Sequence, residues 1–235
     1  GNAKQVLKDI YKEVNESKHT DWLNYISSLK NKAKSQESEE MTPQEIIRIL
    51  SEKTSGKAII TTEVGQHQMW TAQNYEFIEA RSFISSGGLG TMGYGLPAAI
   101  GAKIANPEKM VINICGDGSF QMNLAELATA MENHLPIKII MLNNQCLGMV
   151  RQLQEFYCKS RYCQVNFAFI PDFVKLAESY GMKAMRISKR EDLPKAIDAM
   201  ISDPGSFLLE CMIDFKENVY PMVLNGAAIN EMIGG

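Results

Sequence analysis

Six short runs of apolar residues punctuate the chain: Ala58–Thr62, Ser82–Ile84, Met110–Cys115, Ile137–Leu142, Lys183–Ile187 and Phe207–Ile213. Each has the length of a strand, and Ser82–Ile84 is the weakest. Between them, apolar positions recur three and four residues apart, the spacing of a helix with one buried face. Near-continuous apolar strands alternating with such helices predict an α/β fold. Its architecture would be doubly wound, a mainly parallel six-stranded sheet with helices on both faces.

Residues 4 to 36 follow another pattern. Val6, Leu7, Ile10, Tyr11 and Val14 make one helical apolar stripe, and Trp22, Leu23, Ile26 and Leu29 another, with no strand signal between them. Lys30, Lys32 and Lys34 precede Glu37, Glu39 and Glu40, so this charged stretch reads as a solvated face. The polar run at 35–40 is the strongest boundary signal. After it, Thr42-Pro43-Gln44-Glu45 has the form of a capping box that opens a second unit at Met41. Asn123 and Glu126 likewise predict a capped helix through Met131.

The 235 residues are 45% hydrophobic and 22% charged, ordinary globular composition. A net charge of −3 gives no electrostatic case for nucleic acid or an anionic membrane surface. No apolar run has the length of a membrane span and no signal sequence opens the chain, which predicts a cytoplasmic protein. Cys115, Cys146, Cys158, Cys163 and Cys211 show no CxxC pairing, so reduced, structural thiols are expected.

Candidate chemistry concentrates between Gly116 and Asn144. One apolar strand stops at Gly116-Asp117-Gly118, and the next stops at Asn143-Asn144. In a parallel sheet both tips lie on the carboxyl edge, where open α/β sheets bind ligands. Asp117 and Asn144 are hard oxygen donors suited to a magnesium ion that also holds phosphates. Gly-Asp-Gly alone is ordinary turn chemistry; the pairing with Asn143-Asn144 points to a site. A rival motif, G-x-G-x-x-G at Gly88, Gly90 and Gly93, would suit an NAD-dependent dehydrogenase, with Asp117 as its ribose-binding acid. That reading leaves Asn143-Asn144 unexplained.

These residues also carry a family resemblance. Gly-Asp-Gly followed one β-α unit later by Asn-Asn resembles the diphosphate and magnesium motif of thiamine diphosphate enzymes. VGQHQMW at 64–70, SGGLGTMGYGLPAAIGA at 86–102, LGMVRQ at 147–152 and VYPMV at 219–223 resemble the catalytic large subunit of acetolactate synthase. The resemblance covers 41–235 as the thiamine diphosphate-binding C-terminal domain. It makes residues 1–40 the helical tail of a preceding, FAD-associated middle domain.

The resemblance implies roles residue by residue. Asp117, Asn144 and the backbone carbonyl of Cys146 would bind magnesium. Gln66, His67, Gly118 and Ser119 would hold the diphosphate, and Gly65 and Gly116 would bind the cofactor beside them. Gly90 and Met92 would activate the cofactor, the Gly90 carbonyl accepting from the pyrimidine amino group and Met92 propping the bent cofactor. Met149 would touch the cofactor too, and with Val150 and Leu153 would line the substrate channel. The implied reaction decarboxylates pyruvate and joins the product to a second 2-keto acid, pyruvate or 2-ketobutyrate. A homodimer or homotetramer, with a small regulatory subunit as a further partner, goes with it; another thiamine diphosphate-dependent decarboxylase or oxidase is the alternative. The catalytic glutamate of the family lies on an N-terminal domain of a neighbouring subunit, so these 235 residues alone are expected to be inactive. Leu153 stands where many members carry tryptophan, which bears on acceptor preference and inhibitor sensitivity.

Overall fold

The computed structural model of the chain describes residues 1–33 and 40–234. They fall into two units divided between Glu37 and Ser38. The side chains of residues 30–39, which include most of the polar boundary stretch and the lysine cluster, lie outside the described residues.

The first unit holds α1 (Ala3–Glu13) and α2 (Thr20–Ala33). Asn2 caps α1 by accepting from the Gln5 N–H. Both apolar stripes stand largely exposed, Val6, Leu7, Ile10, Trp22 and Leu23 among them.

The second unit opens with α3 (Pro43–Thr54), where Thr42 Oγ1 accepts from the Glu45 N–H at 3.3 Å. Only this half of the predicted capping box forms. The Glu45 carboxylate pairs instead with Arg190, at 2.8 Å. Next come β1 (Ile59–Thr62), α4 (Gln66–Asn74), β2 (Phe83–Ser85), α5 (Gly95–Ala105) and β3 (Val111–Gly116). The short α6 (Asp117–Phe120), a 3-10 turn over Leu124–Glu126 and α7 (Leu127–Glu132) lead to β4 (Lys138–Asn143). The chain continues through α8 (Gly148–Tyr157), α9 (Phe173–Ser179), β5 (Lys183–Ile187), α10 (Leu193–Ser202) and β6 (Phe207–Met212). Two-residue strands β7 (Met222–Val223) and β8 (Met232–Ile233) form an antiparallel pair that the sequence pattern does not announce.

The six main strands form one all-parallel sheet in the order β2-β1-β3-β4-β6-β5. Successive strand residues point to opposite faces, and the core divides accordingly. Ile112, Ile114, Ile140, Leu142 and Leu209 meet Ile46, Leu50, Trp70, Leu193 and Met200 from α3, α4 and α10. Cys115, Ile139, Met141 and Leu208 meet Leu96, Leu127 and Phe173 from α5, α7 and α9 on the other face. Each such side chain contributes about 1.5–3 kcal/mol on burial. The doubly wound parallel fold is therefore the one the apolar runs predict.

From β1 the chain first crosses to β2 on one side and then to β3 on the other. That reversal opens a crevice at the carboxyl ends of β1 and β3, the place where open α/β sheets hold their ligands.

Candidate metal and diphosphate site

Three strand tips meet at this crevice. Gly116 is in register with Leu142 across the β3–β4 pair, which sets Asp117 beside the Asn143-Asn144 turn. Burial pushes the Asp117 carboxyl up to about 7; the N–H groups of Asp117, Gly118 and Asn144 oppose this, and the charge of Glu210 adds to it. Asp117 is almost wholly buried, yet among the described residues its Oδ2 has no hydrogen-bond partner. A buried carboxylate oxygen without a donor is costly unless a cation or donor arrives to meet it. Among the described residues no three or more His, Cys, Asp or Glu side chains cluster as a metal site. The donors gathered here are instead carboxylate, amide and carbonyl oxygens, the set a hard cation such as magnesium takes. On this test the residues fit a magnesium ion.

The turn after β4 is held from within. Gln145 takes a left-handed φ of 57° and its N–H donates to Asn143 Oδ1 at 3.0 Å. The Cys146 N–H donates to Asn144 Oδ1 at 3.3 Å. Cys146 forms an antiparallel bridge with Asn166 whose bonds, Leu147 N–H to Val165 and Phe167 N–H to Gln145, belong to its neighbours. In such a pair the residue's own N–H and C=O face away from the partner strand, on the side of Asn144. The thiol is raised to about 11, first by burial and then by the Asp117 charge. Cys146 therefore has a main chain turned to the site and an inert sulfur.

Gln66 and His67 open α4 directly after β1. Gln66 Nε2 donates to Gln152 Oε1 at 2.8 Å and to the Glu217 carbonyl at 2.9 Å, and its Oε1 accepts from Asn144 Nδ2 at 3.4 Å. The His67 ring packs on the backbone of Gly65 and Gly116. Burial lowers it to about 4 against the Glu63 carbonyl, and its Nε2 lacks a partner among the described residues. His67 is thus a neutral imidazole at pH 7 with one unmatched nitrogen at the strand tips.

Gly118 and Ser119 lie in α6, both buried. Ser119 Oγ donates to Glu63 Oε2 at 3.2 Å and accepts from the N–H groups of Val64 and Gly93, each at 3.4 Å. This ties the Asp117 turn to the loop bearing Gly90 and Met92, between β2 and α5. Gly90 is exposed with φ 65°, and Met92 is half-buried. Asn123 does not cap with its side chain. Its Nδ2 donates to the Gly93 carbonyl at 2.7 Å, so the predicted helix through Met131 breaks into a 3-10 turn and α7.

Met149, Val150 and Leu153 sit on the less buried side of α8, with Val150 44% and Leu153 37% exposed, while Arg151 and Gln152 form the buried side. The structure thus brings Gly65, Gln66, His67, Gly116, Asp117, Gly118, Ser119, Asn144 and Cys146 together, with the Gly90–Met92 loop hydrogen-bonded to them. Glu63 was missed. It is fully buried at the tip of β1, accepts from the Leu96 N–H at 2.9 Å, and is raised by burial against N–H and hydroxyl donors. A carboxylate directly after a buried strand, the feature that marked Asp117, is the signal that could have found it.

The dinucleotide motif has the wrong neighbours. Gly88, Gly90 and Gly93 follow the edge strand β2, and β1 stands between β2 and the strand that ends at Asp117. A ribose-binding acid needs the adjacent strand.

Residues 63–211 match the family described as "Thiamine pyrophosphate enzyme, C-terminal TPP binding domain". The acetolactate synthase large subunit of Cyanidium caldarium is 50% identical over 193 residues, covering 82% of this chain and 33% of that protein. The acetolactate synthase large subunit of Buchnera aphidicola is 44% identical over 243 residues, covering 99% of this chain and 42% of that one. A solved structure, the thiamine diphosphate-dependent 4-hydroxybenzoylformate decarboxylase of Rhodococcus jostii RHA1, superposes with TM-score 0.68 at 26% identity, covering 78% of this chain and 34% of that chain. The chain thus spans roughly a third to two fifths of the length of these relatives. An all-parallel sheet with a carboxylate and an amide at adjacent strand tips, matched over residues 63–211, places the chain in the thiamine pyrophosphate enzyme family, to whose C-terminal TPP-binding domain it belongs.

Proposed function

We propose that this chain is the cofactor-binding portion of an acetolactate synthase large subunit, holding magnesium and thiamine diphosphate at the carboxyl edge of its sheet. The unpartnered Asp117 Oδ2 beside Asn144 is the observation that carries the reading. Asp117, Asn144 and the Cys146 carbonyl would hold the ion; Gln66, His67, Gly118 and Ser119 would hold the diphosphate. The Gly90 carbonyl and Met92 would face the pyrimidine end, and Met149, Val150 and Leu153 the substrates, pyruvate and 2-ketobutyrate. When bound, thiamine diphosphate supplies the cationic ring that takes up the electron pair released as carbon dioxide leaves.

The chain's own work is to bind, orient and keep water out. Asp117 gives up its proton as a cation arrives, so metal binding releases a proton below about pH 7. His67, neutral at that pH, offers a donor or an acceptor but no charge. The identities of 44–50% to acetolactate synthases, against 26% to the decarboxylase, favour the synthase over another decarboxylase of the family. In this reading α1 and α2 belong to an FAD-associated domain, the protein forms a homodimer or homotetramer, and a small regulatory subunit is a further partner. Five free cysteines suit a reducing, cytoplasmic compartment.

The test is calorimetry of thiamine diphosphate with magnesium against wild type and Asp117→Ala. Binding should be lost in the variant, and unchanged affinity would overturn the assignment. The 235 residues by themselves should turn over no pyruvate, because the resemblance puts the catalytic glutamate on another domain; measurable turnover would refute that part.

A further inference from the structure

Glu210 lies in the middle of β6, fully buried, and is not among the residues proposed above to hold the ion or the diphosphate. Both of its oxygens are engaged: Oε1 accepts from Asn143 Nδ2 at 2.6 Å, and Oε2 accepts from Arg186 Nε at 2.7 Å. Arg186 is its register partner on β5, and Met141, two residues before Asn143 on the same face of β4, is its register partner on the other side. Arg186 also reaches Asp172 at 3.1 Å, the residue that caps α9 by accepting from the Lys175 N–H. Asn143 passes the connection on, since its Oδ1 accepts from the N–H of Gln145.

Hydrogen bonds therefore run across three adjacent strands, from Arg186 through Glu210 and Asn143 to Gln145. They end in the turn that carries Asn144 and Cys146. Glu210 is buried while Arg186 stands partly in solvent, and an ion pair with one partner exposed to water adds little net stability, so stability alone does not account for this one. What it does supply is a fixed position for Asn143, through charge-assisted bonds of short, directional geometry. The turn needs that fixing, because Gln145 adopts a left-handed backbone that residues other than glycine seldom take.

We propose that Arg186 and Glu210 are positioning residues for the metal site, acting through Asn143 to hold the 143–146 turn so that Asn144 and the Cys146 carbonyl face Asp117. The inference rests on the metal reading given above. It assigns a function to side chains on β5 and β6 that lie outside the motif.

The test uses Mn2+ as the probe, titrated by electron paramagnetic resonance into the full chain with thiamine diphosphate present. Wild type is compared with Arg186→Leu, Asn143→Ala, the double variant and Asp117→Ala. Groups that orient metal ligands typically change affinity about 10–100-fold. Arg186→Leu and Asn143→Ala should each weaken Mn2+ binding about 10-fold. Members of one relay do not add, so the double variant should also lose about 10-fold rather than about 100-fold, an outcome that two independent structural losses would not give. Single variants within twofold of wild type, or an additive double variant, overturn the relay while leaving the site. Unchanged Mn2+ binding by Asp117→Ala overturns the site itself. Arg186 is 42% exposed, so its variant decides alone if Asn143→Ala does not fold.

Discussion

The closest packing at the site is at Gly148, the first residue of α8, and Gly148→Ala probes it with a single carbon. A Cβ there would overlap Gln66 Oε1 and stand 2.6 Å from Asn144 Nδ2. Both neighbours are ends of side chains, which ordinarily swing aside, but these are committed. Gln66 is held by Gln152, Glu217 and Asn144, so moving its amide breaks three hydrogen bonds of about 1 kcal/mol each. Alanine returns at most about 1 kcal/mol of helix propensity, leaving a net loss of about 2 kcal/mol. For a chain of this size that lowers Tm by about 4–8 °C. The displaced amides are also a proposed diphosphate contact and a proposed metal ligand, so magnesium-dependent thiamine diphosphate affinity should fall at least ~10-fold, which corresponds to about 1.4 kcal/mol. Scanning calorimetry and titration calorimetry read the two effects. Gly101→Ala is the control, an exposed helical position with nothing within 4 Å of the new carbon; it should raise Tm slightly and leave affinity alone. If Gly148→Ala melts and binds like wild type, Gln66 and Asn144 do not meet as described.

Three further outcomes follow from the same site. The Asp117 carboxyl, raised from 3.8 to about 7, stays protonated in the metal-free fold up to about pH 7, so stability is full below about pH 4 and falls as pH rises through about 7, by up to about 4 kcal/mol. Metal-free Asp117→Asn should therefore melt higher than wild type at pH 8 while gaining nothing from magnesium; a wild-type Tm that does not change between pH 5 and 8 would contradict this. His67 is displaced the other way, from 6.5 to about 4, so its contribution is present above pH 6.5 and lost as pH falls towards 4, up to about 3 kcal/mol. Urea titrations of His67→Gln should show a flatter acid limb, and an unchanged slope speaks against the burial. Glu63→Ala strands the Leu96 N–H and should cost about 2–4 kcal/mol in denaturant unfolding, while Glu63→Gln keeps an acceptor and should cost less than half as much; equal losses would mean that only volume matters there.

Most of the sheet was legible because its strands are buried on both sides. Met110–Cys115 and Ile137–Leu142 are runs that only a parallel sheet covered by helices explains, and the observed strands lie one residue further along. Local signals failed where a distant partner outcompeted them. Glu45 and Asn123 carry the chemistry of caps, but Arg190 and the Gly93 carbonyl, far away in sequence, take their side chains. A capping motif states what a side chain can do next to itself and nothing about what the fold brings to it. The two-residue strands β7 and β8 are too short to show any period.

The site divides along the same line. Asp117 and Asn144 end strands separated by a single β-α unit, and consecutive strands of a parallel sheet commonly neighbour each other. Their meeting could be expected from spacing alone. Arg186 and Glu210 could not be placed that way. In chain order β5 would lie against β4, which would put Arg186 rather than Glu210 opposite Met141. The sheet instead interleaves β6 between them, and that exchange alone sets a buried carboxylate against Asn143. The proposed ligands were visible because strands consecutive in the chain carry them. The residues proposed to hold them in place were hidden because strand order, which no local pattern encodes, decides who they touch.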